Sequence, residues 1–186
     1  MNSTRRSTIM ASLAFAGLLG SLAPAAHAAS AQQLTLDGRR ALDKLYATEP
    51  RSRLFARHAR AVLVFPSIIK GGFVFGAETG NGVLLVNGQP ESFYNISSAS
   101  FGLQAGGQAF SYALFFMNDK SLVYLRKSDG WAVGTGPNVV IVDKGAAVVA
   151  NSTTLTQDVY AFPFAAKGLM AGIDIHGSKI THIHPN

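Results

Sequence analysis

Asp174, His176, His182 and His184 are the residues whose types and spacing come nearest to a reactive or metal-binding centre. A His-x-His pair on a strand offers two imidazoles to a transition metal, whereas a structural zinc site takes about four ligands. A two-residue turn at Gly177-Ser178 would pair His176 with Lys179, Asp174 with Thr181 and Ile173 with His182, which puts His176 and His182 on opposite faces. The four side chains then do not converge, and neither a metal nor a cofactor is expected. Catalytic signatures fail in the same way. There is no G-x-S-x-G elbow, no phosphate-binding P-loop and no H-E-x-x-H helix. Gly80-Asn81-Gly82 opens like a dinucleotide fingerprint, but Leu85 stands where the third glycine belongs and a strand follows instead of a helix. The chain has no cysteine, which removes thiol nucleophiles, zinc-thiolate sites, iron-sulfur clusters, disulfides and a lipidated N-terminal cysteine. The expectation is a protein that binds and does not catalyse.

The other chemistry on offer is charge. Residues 29–60 hold seven basic side chains, Arg39, Arg40, Lys44, Arg51, Arg53, Arg57 and Arg60, against the three acids Asp37, Asp43 and Glu49, while residues 61–186 hold seven of each sign. Such asymmetry suits one end of the molecule to an anionic surface.

Two helices must position these cations. From Leu34 to Tyr46, the residues Leu34, Gly38, Ala41, Leu42, Leu45 and Tyr46 form one apolar stripe, with Arg39, Arg40, Asp43 and Lys44 elsewhere on the wheel. A second, short helix has Thr48 as its expected N-cap and Pro50 in its first turn. Leu54, Phe55 and His58 lie along its inner face, and Arg53, Arg57 and Arg60 recur at i, i+4 and i+7 on the outer one. The inner side covers a sheet; the outer side offers guanidinium groups to phosphate.

The first 28 residues have another role. Arg5 and Arg6 precede an apolar run from Ile9 to Leu22, and Ala26-His27-Ala28 supplies a small-x-small cleavage pattern. The run is shorter than the roughly 20 residues of a spanning helix, so the expectation is a cleaved secretory signal over residues 1–28 and a periplasmic or envelope location. Export makes nucleic acid a poor partner and anionic lipid, or an acidic envelope protein, a better one. The whole chain has 186 residues, 14% of them charged, and a net charge of +6. That is one domain, with residues 29–60 as its basic helical segment and 61–186 as its body.

The body reads as strands. Short apolar runs such as AVLVF, GVLLV, SYALFF, NVVIV and VYAFPF alternate with glycine-rich turns. Glu78 to Gly82, Asp143-Lys144-Gly145 and Gly177-Ser178 sit at hairpin length between runs. Leu169, Ala171, Ile173 and Ile175 alternate toward one buried face. Asn118 and Asp119 cap one later helix through Leu125, which Asp129-Gly130 ends. Glycines inside strand patterns allow bulges and tight coiling. The expected class is α+β, mainly β: a strongly curved antiparallel sheet with meander connections, N-terminal helices and one later short helix.

The strings FPSIIKGGFVFGAETGNGVLLV, SFGLQAGGQAFSYALFF, DGWAVGTGPNVVIVDKG, DVYAFPFAAKGLMAG and GSKI occur in this order. Together they resemble the SYLF domain, over about Leu34 to Pro185. The resemblance implies a mainly β lipid-binding module, whose eukaryotic relatives bind phosphoinositides and, in fungi, also actin. It also implies that the basic N-terminal segment contacts lipid, which here means Arg39, Arg40, Lys44, Arg51, Arg53, Arg57 and Arg60, with Lys70 in the matching K-G-G-F motif. Gln104 and the glycines of GLQAGGQ fit the family pattern and read as sheet geometry.

Overall fold

The computed structural model describes residues 30–72, 75–101, 106–142, 155–167 and 175–186. The expected signal peptide, the Asp143-Lys144-Gly145 turn, Gln104 and most of the Leu169–Ile175 strand lie outside them. Of the expected strand from Leu169 to His176 only Ile175 and His176 are described, and Ile175 is fully buried.

Helix α1 (Ala31–Thr48) starts on Ser30, whose hydroxyl accepts the Gln33 N–H at 3.2 Å. Helix α2 (Ser52–His58) follows after a tight bend. The strands are β1 (Ala61–Gly72), β2 (Phe75–Val86), β3 (Gln89–Phe101) and β4 (Gly106–Phe116), then β5 (Trp131–Ala132), β6 (Val139–Ile141), β7 (Val159–Lys167) and β8 (Lys179–Ile183). Helix α3 (Asp119–Lys127) lies between β4 and β5, with the Asn118 side chain accepting the Ser121 N–H at 2.9 Å. The expected helices, including the late one and its cap, are all present. Thr48 does not cap α2, however. It closes α1 by donating to Lys44 O at 2.9 Å, and α2 begins through backbone turns onto Glu49 and Pro50.

The eight strands form one sheet in the order β5-β8-β3-β2-β1-β4-β7-β6. It is strongly curled, a half-barrel. β1, β2 and β3 make the expected meander, but β4 lies on the far side of β1, so the connection from β3 passes two strands. β6 pairs parallel to β7, which makes the sheet mixed where a purely antiparallel one was expected.

Both faces of the sheet are covered, which explains runs such as AVLVF. Ala61, Leu63 and Phe65 point into one core with Tyr112, Leu114, Phe116, α3 residues Leu122 and Leu125, and Trp131. Val62 and Val64 point into the other with Leu45 of α1, Phe55 of α2, Phe115 and Phe162. A strand buried on two sides loses its polar alternation.

Two turns depart from expectation. Glu78 to Gly82 is no turn: β2 runs straight through it, in register with β3 from Glu78↔Ser98 to Gly82↔Tyr94. Its glycines serve close strand approach instead. A Cβ on Gly80 would sit 2.5 Å from Ser67 O, and one on Gly82 equally close to Val64 O. The β2–β3 turn is Asn87-Gly88, with φ of 50° and 75°, the signature of a type I′ hairpin. The C-terminal turn is centred on His176-Gly177, where Ser178 N bonds Ile175 O at 3.0 Å. β8 there pairs with β3 on one edge and β5 on the other. The expected pairing of His176 with Lys179 is not made, because Lys179 pairs with Ser97 of β3 and Ala132 of β5; Asp174 and Ile173 lie outside the described residues.

Irregularities line up across three neighbouring strands. β1 inserts Pro66-Ser67 opposite Ser111 of β4, and β7 inserts Ala165-Ala166 opposite Phe110 of β4. Proline cannot donate to a ladder and belongs at such a bulge; Ser111 Oγ donates to Pro66 O at 2.7 Å. Ala165 adopts φ 54°, the left-handed conformation found in some bulges. The row of bulges bends the sheet beneath α1.

Candidate functional site

Helix α2 has too few residues to be stable alone, and it is fixed by one aromatic anchor. Phe55 is fully buried, with ring centroids 4.9 Å from both Tyr160 and Phe162 and 6.3 Å from Phe115. With Phe55 inward, helical geometry turns Arg53 and Arg57 outward, and both are exposed. His58, expected on the inner face, is exposed as well.

The basic residues have different surroundings. The Arg53 guanidinium lies 5.0 Å above the Tyr46 ring, tying α2 to α1 by a cation–π contact. Burial pushes the Tyr46 phenol above its ordinary pKa, and the Arg53 charge pulls it part of the way back. Arg57 has no ion-pair partner among the described residues. Arg60 Nε lies 3.6 Å from Asp119 at the start of α3, with both side chains well exposed. Arg53, Arg57 and Arg60 thus form an outward ridge from α2 toward α3.

Arg51 and Lys70 are engaged inside the molecule. Arg51 Nε meets Glu49 at 2.8 Å in a partly buried pair. Lys70 Nζ meets Glu78 at 2.7 Å across the β1–β2 ladder, where the two are direct neighbours. On α1, Arg39 donates to Gly88 O of the hairpin at 3.2 Å, and Arg40 meets Asp37 at 3.3 Å. Lys44 lies one turn beyond Arg40, exposed. The structure therefore brings three of the eight basic residues onto one ridge and separates the rest.

Arg40 and Lys44 border a second feature that periodicity alone did not reveal. A groove of about 420 Å³ opens between α1 and the row of bulges, lined by Pro66, Phe110, Phe164 and Ala165 among others. Pro66 within a strand run was a readable signal of the bulge; Ala165 gave none.

The histidines are less organised. His182 and His184 have ring centroids 4.5 Å apart on β8 and its extension, and His182 packs edge-on against Tyr94. Among the described residues no group of three or more His, Cys, Asp or Glu side chains is placed to hold a metal.

A family model described as Ysc84, Las17-binding protein actin regulator, matches residues 97–184. The match begins late in β3 and ends just beyond β8, so it takes in the aromatic cage of Phe55 but neither basic helix. No curated protein gives a match. The family is one of binding domains and not a known enzyme family. The match takes in just under half of the chain and supports its assignment to the SYLF-domain family through residues 97–184.

Proposed function

We propose that the protein is a peripheral lipid-binding module of the cell envelope, exported behind residues 1–28, which holds anionic phospholipid through the α2 ridge. The observation that carries this reading is the anchoring of Phe55, which leaves Arg53, Arg57 and Arg60 outward on a rigid support. Guanidinium groups suit phosphate because their forked donors match its oxygens. Each cation near an anionic bilayer contributes about 1 kcal/mol, so three give roughly 3 kcal/mol, enough for reversible attachment. Arg39, Arg40 and Lys44 add long-range attraction, whereas Arg51 and Lys70 serve mainly their internal pairs.

The test is flotation of the chain from residue 29 with vesicles of phosphatidylglycerol and phosphatidylcholine, against vesicles of phosphatidylcholine alone. Wild type should float with the anionic vesicles, and Arg53→Gln/Arg57→Gln/Arg60→Gln should not, with its melting temperature lowered only by the loss of the Arg53–Tyr46 contact, worth about 0.5–1 kcal/mol. Equal flotation of the two proteins would overturn the assignment. The family's description favours a second reading, an acidic protein partner at the same ridge. Failure to float together with binding to an acidic envelope protein, lost in the triple variant, would select it.

A further inference from the structure

We propose that the groove beneath α1 is a separate site for a single-chain anionic amphiphile of the fatty-acid class. Its floor is apolar where a tail would lie: Ala41 of α1, Pro66 of β1 and Phe164 and Ala165 of β7 line it. Phe164 is buried on the sheet face that α1 covers, and the Ser111 hydroxyl is already satisfied by Pro66 O, so the floor asks for no polar ligand group. Its volume, about 420 Å³, falls within the roughly 300–1,000 Å³ of small-molecule sites.

The rim supplies the head. The Asp37 carboxylate is held by Arg40 at 3.3 Å and by the Gln33 amide at 3.0 and 2.9 Å, which leaves Lys44 as the uncompensated charge at the mouth. One cation above an apolar trough matches one carboxylate on one chain. The site is distinct from the α2 ridge: Arg53 stacks on Tyr46, and residues two apart on a helix project about 200° apart, so Lys44 faces the other flank of α1. The bulges of β1 and β7 form one wall of the trough, with Pro66, Ser67 and Ala165 lining it opposite Ala41 and Lys44 of α1.

The experiment titrates the chain from residue 29 with a polyene fatty acid whose fluorescence rises on leaving water, below the concentration at which it forms micelles. A saturable rise that oleate reverses is expected. Lys44→Glu should weaken binding about tenfold or more, the equivalent of about 1.4 kcal/mol. Methyl oleate should compete more weakly than oleate with wild type and equally well with the variant. Ser67, exposed at the groove wall, allows a filling change that spares the core. Ser67→Trp should abolish the rise, keep the wild-type melting temperature and still float with anionic vesicles. No saturable rise with wild type, or binding untouched by both substitutions, would overturn the proposal. Loss of flotation together with oleate binding in Ser67→Trp would also overturn it, since the two sites would then be one.

Discussion

Single residues set the tolerances of this fold. Gly38 lies where α1 crosses β2, and a Cβ there would overlap the Val83 side chain, itself fully buried. Alanine favours a helix over glycine by about 1 kcal/mol, while overpacking a filled core costs about 1–3 kcal/mol. Gly38→Ala should therefore lower the melting temperature in spite of its helix propensity. Gly38→Ala/Val83→Ala should lose less than the sum of the two single changes, as a double-mutant cycle of thermal melts would show. Gly88 makes the opposite case: a Cβ meets nothing within 4 Å, yet φ is 75°. Gly88→Ala should cost about 1–2 kcal/mol through backbone conformation alone, read from denaturant midpoints at constant slope.

Asp158 adds a pH dependence at the same scale. Its carboxylate accepts the Asn138 backbone N–H at 3.0 Å and the Asn118 amide at 2.8 Å, linking the start of α3 to the segments entering β6 and β7. These hydrogen bonds, the backbone one foremost, hold its pKa below the ordinary carboxylate value. A depressed pKa contributes stability above the unfolded-state value, and that contribution is lost as pH falls through the folded value. Acid titration of stability should therefore show a smaller loss below about pH 4 in Asp158→Asn than in wild type.

At the scale of elements, α2 is short and depends on tertiary packing, because isolated helices below about 12 residues are marginal in water. Phe55→Ala empties the aromatic cage and should cost about 3–5 kcal/mol. The same change should loosen the ridge, so that vesicle binding falls in protein that is still folded at low temperature. Arg57→Gln, on an exposed side chain with no ion-pair partner among the described residues, should stay within about 0.5 kcal/mol of wild type and lower vesicle binding only in part. Circular dichroism melts beside flotation of the two variants separate support of the ridge from contact by it.

For the whole molecule, none of the helices among the described residues is long and apolar enough to cross a membrane. If attachment is through the basic ridge, it should be reversible and screened by salt, with interactions between exposed charges fading beyond about 8–10 Å at physiological ionic strength. Raising salt should release the chain from residue 29 from anionic vesicles. Retention after both high salt and carbonate washing would sink the peripheral mode. The curl of the sheet matters at this scale too, because it encloses the core containing Trp131 on one side and leaves the other to α1 and α2.

The sequence by itself determined the elements whose signals are local. The stripe from Leu34 to Tyr46, the Asn118 cap and the strand runs could be read because periodicity and capping act within a few residues. Asn87-Gly88 was equally readable, as a local turn signature, but the glycines of Glu78–Gly82 drew the turn assignment although they serve close packing against β1. Only the tertiary structure decided that β4 returns to the far side of β1, that β6 runs parallel to β7 and that β8 lies between β3 and β5. Strand partners are chosen by contacts remote in sequence, which no local pattern encodes. The same reason governs the candidate site. The sequence supplied the count and spacing of the cations, but their roles depend on distant neighbours: Glu78 engages Lys70, the hairpin carbonyl of Gly88 takes Arg39, and Phe55 locked among Phe115, Tyr160 and Phe162 turns the α2 arginines to solvent.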